Sequence, residues 1–324
     1  MAEAHEVDVL VVGAGPAGLF AAYYAGFRGL SVAVVDSLPE PGGQVTAMYP
    51  EKLIFDVAGM PAVRGRDLVA ALVEQAAPYE PEYLLGRAAT DLSEVDDGVL
   101  VRVGEQRVRA RAVLITAGIG EFSPRPLPAG GEWLGRGLVH FVPEPAAHEG
   151  QDVVVVGGGD SAFDWARALH PIARTVTLVH RRSRFRAHAG LVREVADLGV
   201  PLITDAQVAQ VRGDESGVTE VELAVGEQRR VLPAQTVVAA LGFTADLGPI
   251  AEWGLELDKR SIRVDSTLRT NRPRIYAAGD VASYPGKVKL IATGFGEAAT
   301  AVNNIAVELD PGAHLFPGHS SDKG

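Results

Sequence analysis

The chain has 324 residues, 47 % hydrophobic and 22 % charged, which is typical of a globular protein of about two domains. Its formal net charge of −11 argues against a nucleic-acid partner, since neutralising phosphates requires a basic face. The absence of cysteine excludes disulfide exchange, thiolate nucleophiles and iron–sulfur ligation by its own side chains. No apolar run approaches the ~18–20 residues of a membrane span. No metal site is predicted, and without a targeting signal we expect a cytoplasmic protein.

The first predicted elements form a strand–loop–helix–strand unit. An apolar strand over residues 7–12 leads into a glycine-rich loop, a helix over 19–27 and a strand over 31–35 that ends at Asp36. The glycines of such a loop permit a tight turn and let the backbone approach a pyrophosphate, to which the helix N-terminus offers free N–H groups. The predicted contacts of this loop are Gly13, Gly15, Ala17 and Gly18.

The same arrangement returns later in the chain. Residues 112–118 form a buried apolar run that ends in glycine, and 122–131 is a linker rich in proline and glycine. A strand over 152–156 then precedes a second glycine loop, a helix over 163–169 and a strand over 175–179. The predicted contacts of this second loop are Gly157, Gly159, Asp160 and Ser161. Two loops in the right structural context predict two bound dinucleotides.

The residues after each second strand distinguish the two nucleotides. Counting 23 residues from the first glycine of each loop gives Asp36 in one copy and His180, followed by Arg181 and Arg182, in the other. A carboxylate suits a ribose with free hydroxyls, whereas a basic cluster suits a ribose that bears a phosphate. We therefore predict FAD at the first loop and NADPH at the second. The alternatives are an ordinary strand-end aspartate and a solvated basic stretch.

Later strand patterns predict that one nucleotide domain is inserted into the other. Apolar runs at 236–242 and 274–280 resemble the 112–118 run, since each reaches small residues and a glycine at its end. A helix is predicted over 290–309. We predict an α/β fold with two Rossmann-like domains: an FAD domain of residues 1–116 and 244–324, and an inserted NADPH domain of 117–243. Asp280 follows a buried strand, where an unpaired carboxylate is costly. It could accept hydroxyls from a flavin's ribityl chain or cap a helix, and both roles can coexist.

With these motifs the chain resembles the thioredoxin-reductase-like two-dinucleotide flavoproteins over nearly its whole length. Thioredoxin reductases carry a Cys-x-x-Cys pair early in the inserted domain, but the corresponding stretch here, about 137–142, has no cysteine. A narrower resemblance is to the ferredoxin–NADP⁺ reductases of the thioredoxin-reductase type. The matching segments are Met48–Lys52, Phe55–Gly59, Tyr284–Ala298 and Pro317–Ser321.

The resemblance implies roles for further residues. Gln44 would contact FAD, Ala89 and Phe122 would line its site, Asp280 would hold the ribityl chain, and Ser320 would lie near the flavin ring. Tyr49 would stack on one flavin face and His319 would cover the other. From the residues alone, Tyr49 could equally be a core aromatic and His319 an ordinary tail residue. Lys287 and Lys289 are either simply exposed lysines or positive charges near an acidic partner.

The implied activity is electron transfer between NADPH and ferredoxin or flavodoxin in a homodimer with one FAD per chain. Hydride would pass from NADPH to flavin N5, and since the cofactors supply the chemistry, no catalytic acid, base or nucleophile is predicted. The alternatives are an NADPH diaphorase or general flavin reductase, a reductase of an external dithiol protein, and a non-catalytic flavoprotein that senses NADPH. Ferredoxins are acidic, so the net charge of −11 gives no long-range attraction.

Overall fold

A computed structural model describes residues 5–319 of the chain. Six α-helices lie within this described part: α1 (Pro16–Phe27), α2 (Gln44–Met48), α3 (Gly65–Ala76), α4 (Asp160–Leu169), α5 (Ala189–Asp197) and α6 (Ile291–Leu309). The predicted helices 19–27 and 163–169 begin three residues earlier than expected, at Pro16 and Asp160. The glycine before each start has extended backbone and serves as the N-cap.

The strands fall into three groups along the chain. Those before the first crossing between the units are β1 (His5–Val12), β2 (Val32–Asp36), β3 (Leu53–Ile54), β4 (Val63–Arg64), β5 (Glu82–Leu85), β6 (Ala89–Val95), β7 (Gly98–Val103) and β8 (Gln106–Ile115). The next are β9 (Glu121–Pro124), β10 (Leu138–Val139), β11 (Asp152–Val156), β12 (Thr175–Val179), β13 (Leu202–Ile203), β14 (Ala206–Asp214), β15 (Gly217–Val225), β16 (Gln228–Pro233), β17 (Thr236–Ala239) and β18 (Phe243–Asp246). The last are β19 (Leu257–Asp258), β20 (Ser261–Arg263), β21 (Ile275–Ala277) and β22 (Ala282–Ser283).

The chain divides into two compact units, one of Met1–Glu121 with Ala245–Gly324 and one of Phe122–Thr244. It passes between them in β9 and β18, which pair with each other. The sequence placed these boundaries at 116/117 and 243/244. Which nucleotide each unit holds stays a prediction.

The first unit is built on a parallel sheet with the order β5-β2-β1-β8-β21. The first half of β8 also pairs with β7, and β7 with β6, in antiparallel register. Apolar side chains fill both faces of this sheet: α1 and α6 pack on one face, and the segment around Trp253 and Leu255 packs on the other. The sheet therefore has the two covered faces that parallel strands require.

The second unit repeats this order with other strands. Its parallel sheet is β13-β12-β11-β17-β10, and an antiparallel sheet β14-β15-β16 covers part of it. In both sheets the glycine loop follows the middle strand, β1 or β11, and the discriminating residues follow its neighbour, β2 or β12. The predicted α/β class with two Rossmann-like units is confirmed. The loops lie at the carboxyl ends of parallel strands, where ligands of such sheets bind.

Candidate dinucleotide-binding sites

The first glycine loop is a tight turn between β1 and α1. Gly13 has a φ of +114°, and a Cβ there would lie 2.5 Å from the carbonyl oxygen of Thr116. A Cβ on Gly18 would overlap the carbonyl oxygen of Gly13, so the helix start packs directly on the strand end. Gly15 faces open space. The three glycines thus provide the turn, the close packing and the open approach of a pyrophosphate-binding loop.

The second loop packs in a similar way between β11 and α4, although Gly157 lacks the positive φ of Gly13. A Cβ on Gly157 would overlap the carbonyl oxygen of Ala240, at the end of the neighbouring strand β17. Ala162 takes the place of the third glycine and is fully buried. Gly159, like its counterpart in the first loop, has nothing within 4 Å of a Cβ position. Both loops therefore leave the backbone open at the same point.

Each loop leads into a helix N-terminus. Gly15 is the N-cap of α1 and Gly159 is the N-cap of α4, both with extended backbone and neither with a side-chain cap. The first N–H groups of a helix have no carbonyl partner within it, and together with the helix dipole they favour an anion. Ala17 lies in this first turn of α1, and the exposed Asp160 and Ser161 lie in that of α4.

Asp36 fixes the first loop from the end of β2. One carboxylate oxygen accepts the N–H of Ala14 at 2.7 Å and the other accepts the N–H of Leu38 at 2.9 Å. Burial raises the pKa of Asp36, and these two hydrogen bonds oppose that rise. A carboxylate oxygen has two lone pairs, so each retains one for a ligand hydroxyl. Support of the loop and ribose binding are thus compatible roles.

Gln44 lies beside the first loop at the start of α2. Gly43 has a φ of +55°, and a Cβ there would lie 3.1 Å from the Cα of Gly15. The Nε2 atom of Gln44 lies 2.9 Å from the position of a Cβ on Gly118, at the end of the β8 run. The segment to which the resemblance assigned FAD contacts is therefore packed along the open side of the loop.

Tyr49 and Asp280 lie near each other in the first unit. Tyr49 follows α2, and burial, then the charges of Asp280 and Asp56, raise its pKa. The half-buried Asp280 lies in a 3₁₀ turn, Gly279–Val281, whose N-cap is Ala278. Asp280 is therefore not the N-cap of this turn, which was the alternative to a flavin contact. Burial raises its pKa, and its carboxylate has no hydrogen-bond partner within residues 5–319.

The remaining predicted FAD contacts are dispersed. Ala89 is buried at the start of β6, beside a strand connection in which the Arg87 N–H donates to the carbonyl oxygen of Asp36 at 3.0 Å. Phe122 belongs to β9, where its ring centroid lies 6.1 Å from that of Phe243. Ser320 lies outside the described residues. The roles of all three toward FAD stay predictions.

The tail after α6 lies near the C-terminal end of α1. The Arg28 guanidinium donates to the carbonyl oxygens of His314 at 2.9 Å and Leu315 at 3.3 Å. The rings of Phe316 and His319 are 5.2 Å apart, so the tail turns on itself here. The glycine loop lies at the other end of the 12-residue α1. The stacking role of His319 stays a prediction.

His180 is a packing residue of the second loop. A Cβ on Gly158 would overlap its ring, and the ring of Phe185 is 5.4 Å away on another side. Burial lowers the pKa of His180, a hydrogen bond with the Arg184 backbone raises it, and the neighbouring arginines lower it further. Since the ordinary value is 6.5, the ring is neutral at pH 7 and adds no positive charge.

The positive charge of this segment comes from its arginines. Arg181, Arg182, Arg184 and Arg186 are all exposed, and none has a carboxylate partner in the described part of the chain. The segment is held to the loop because the Arg186 N–H donates to the carbonyl oxygen of Gly158 at 2.7 Å. The segment that carries these exposed arginines therefore lies beside the glycine loop.

Sequence reasoning missed Thr116 and misplaced Lys287. The Thr116 hydroxyl donates to the carbonyl oxygen of Gly13 at 2.8 Å, and its position at the end of an apolar strand beside a glycine was the available signal. Lys287 was expected to be an exposed lysine, but its side chain is 6 % exposed and forms an ion pair with Glu297. Lys287 is therefore neither an exposed lysine nor a surface charge for an acidic partner. Lys289 is exposed as expected.

Comparison with known proteins identifies relatives of this arrangement. Residues 7–304 match the model of the pyridine nucleotide-disulphide oxidoreductase family. A ferredoxin–NADP reductase of Saccharopolyspora erythraea is 78 % identical over 321 residues, covering 98 % of both chains. One of Thermus thermophilus is 47 % identical over 332 residues, covering 99 % of this chain and 98 % of the other.

Solved structures resemble the fold as well. A thioredoxin reductase of T. acidophilum superposes with a TM-score of 0.80 at 28 % identity, covering 94 % of this chain and 99 % of the other. None of the helices between residues 5 and 319 has the length and apolar character to span a membrane.

Proposed function

Because the chain belongs to the pyridine nucleotide-disulphide oxidoreductase family, we propose that it is an FAD-dependent enzyme that passes electrons between NADPH and ferredoxin or flavodoxin. One observation carries this proposal: two glycine loops, each open at its second glycine, are followed by Asp36 in one unit and by Arg181 and Arg182 in the other. Relatives named ferredoxin–NADP reductase, at 47 % and 78 % identity over nearly the whole chain, support the protein acceptor.

The residues of the first unit fit FAD. Gly15 leaves an open approach for the pyrophosphate, and Asp36 retains lone pairs for the adenosine ribose. Asp280 has a half-buried carboxylate that lacks a hydrogen-bond partner among the described residues, and such a group requires a donor. The hydroxyls of a ribityl chain would supply one. Tyr49 would contact the flavin ring near this carboxylate.

The residues of the second unit fit NADPH. Gly159 is open as Gly15 is, and Asp160 and Ser161 begin the helix behind it. Arg181 and Arg182 would donate to the 2′-phosphate, for which planar guanidinium groups have the matching geometry. His180 would support the loop as a neutral ring.

When bound, FAD supplies the redox chemistry, taking a hydride at N5 and releasing electrons singly. The protein's own residues bind, orient and shield the cofactors. The raised pKa of Tyr49 keeps its phenol neutral at physiological pH. The chain has no cysteine, so electrons cannot leave through a dithiol of this chain.

We further propose a cytoplasmic homodimer. The homodimer is the assembly that the resemblance to the ferredoxin–NADP⁺ reductases implies. Sedimentation of the FAD-loaded protein tests this, and a monomer at micromolar concentration would contradict it.

The decisive experiment is anaerobic reduction by NADPH, followed by rapid mixing with oxidised ferredoxin or flavodoxin. We expect bleaching of the flavin absorbance with NADPH, slower bleaching with NADH, and reoxidation by a protein acceptor. Rapid reoxidation by quinones or free flavins but not by either protein would favour a diaphorase. Binding of NADPH without bleaching would favour a sensor and overturn the proposal.

A further inference from the structure

A buried charged network lies directly behind Asp280. One oxygen of Glu297 accepts the hydroxyl of Tyr284 at 2.5 Å and also the ammonium group of Lys287. The other oxygen accepts the N–H of Gly279 at 2.7 Å. The side chains of Lys287 and Glu297 are each only 6 % exposed. We call Tyr284, Lys287 and Glu297 the Glu297 network.

The network fixes the backbone that precedes Asp280. Gly279 has a φ of +79°, and a Cβ there would lie 3.2 Å from the Cβ of Ala17 at the start of α1. Its N–H is held by Glu297 from the second turn of α6. The orientation of the next residue, Asp280, is therefore determined by a carboxylate that does not face solvent.

Such a network is not explained by stability. Removing two charges from water costs several kcal/mol per ion, and well-packed apolar residues in their place are often neutral or stabilising. Burial, together with Glu297, also raises the pKa of Tyr284 to about 12, so the phenol remains a donor. Asp280 has no hydrogen-bond partner between residues 5 and 319, and the costly ion pair beside it points to a role in what its carboxylate binds.

The charges of the network also act on Asp280. Burial raises the pKa of Asp280, Lys289 and Lys287 lower it, and Glu297 raises it. Without the Lys287 ammonium, the carboxylates of Glu297 and Asp280 would repel each other in a half-buried site. Lys287 therefore offsets this repulsion while Glu297 holds the backbone of Gly279.

We propose that Glu297 and Lys287 are positioning residues that orient Asp280 toward the flavin and keep the net charge behind it at zero, thereby setting the flavin's reduction potential. This inference rests on the proposed FAD site. Reduction adds negative charge to the flavin, so an unbalanced positive charge nearby raises the potential and an unbalanced negative charge lowers it.

The test is a double-mutant cycle of Glu297 and Lys287, measured on the FAD-loaded protein at pH 8.5. Glu297→Gln leaves Lys287 unbalanced and should raise the flavin midpoint potential, whereas Lys287→Met should lower it. The double variant should return close to wild type. We expect single shifts of about 30 mV, which correspond to a tenfold change in the relative affinity for oxidised and reduced flavin in a two-electron couple.

Controls separate this role from simple structural support. Lys287→Arg keeps the charge and should keep the potential. Equal potentials in all variants, or single shifts of one sign, would overturn the inference.

The FAD dissociation constant, measured by reconstitution of the FAD-free protein, gives a readout independent of turnover. It should rise about tenfold in Glu297→Gln and in the double variant, because both lose the carboxylate that holds the Gly279 N–H. Failure of wild-type protein to bind FAD would instead refute the proposed function, which distinguishes the two failures. Variants that bind FAD as tightly as wild type would refute the positioning role.

Discussion

The assignment of NADPH to the second unit can be tested at two arginines. Arg181 and Arg182 follow β12, are exposed, and have no carboxylate partner in the described part of the chain. His180 is neutral at pH 7 because burial lowers its pKa. The positive charge available to a 2′-phosphate here therefore belongs to the arginines. Each alanine substitution removes one of these charges and leaves no carboxylate unpaired.

The expected loss follows from the energy of a charge-assisted hydrogen bond. Such bonds contribute roughly 1.5–3 kcal/mol, and the exposure of both side chains favours the lower value. About 1.4 kcal/mol corresponds to a tenfold change in affinity. Arg181→Ala and Arg182→Ala should therefore each raise the KM for NADPH about tenfold, and the pair should approach a hundredfold.

The assay compares NADPH with NADH in the same preparations. NADH lacks the 2′-phosphate, so its KM should hardly change in either variant. Arg230→Ala is the matched control, since it removes an exposed arginine of the same unit from β16. Unchanged NADPH kinetics, or equal losses with both nucleotides, would refute the assignment of this basic segment to the 2′-phosphate.

Three further results are expected. Gly15→Ala should weaken FAD binding while the FAD-free protein keeps its Tm, because a Cβ there meets open space. Gly13→Ala should lower both the FAD affinity and the Tm, because its Cβ would meet backbone atoms. Arg174→Ala should lower the Tm at pH 7, because the Arg174 hydrogen bond lowers the pKa of the buried Asp152. This bond stabilises the folded protein above the ordinary pKa of 3.8, and the stabilisation is lost as the pH falls below that value. The Tm difference should therefore shrink at pH 3, and a constant difference would contradict this. Truncation after Phe316 should change the flavin absorbance spectrum and ferredoxin turnover, and identical spectra and rates would refute a role for His319.

The sequence predicted the glycine loops well because their geometry is local. Gly13 and Gly157 occupy turns that close against neighbouring strands, and the strands 152–156 and 175–179 have the predicted bounds. The helix starts were placed too late because the apolar pattern begins one turn after the N-cap. Extended backbone at the glycine, with proline or aspartate following, marks the start instead.

Contacts between distant segments could not be predicted in the same way. Lys287 looked like a surface lysine because it follows Pro285 and Gly286, which are typical of an exposed turn. Its burial depends on the loop turning back onto α6, ten residues later, where Glu297 faces inward. The position of the tail likewise depends on Arg28, 286 residues from His314. No periodicity within either segment encodes such a pairing.

The burial of Lys287 changes how an acidic electron carrier would be attracted. With a net charge of −11, the chain needs a local positive surface, and Lys287 does not contribute to one because Glu297 neutralises it in the interior. Lys289 and the exposed arginines after β12 are among the positive charges that remain. Attraction by a local patch acts within a Debye length, ~10 Å at 0.1 M salt. We therefore expect an acidic acceptor to be selected at contact, by shape and local charge, rather than by long-range steering.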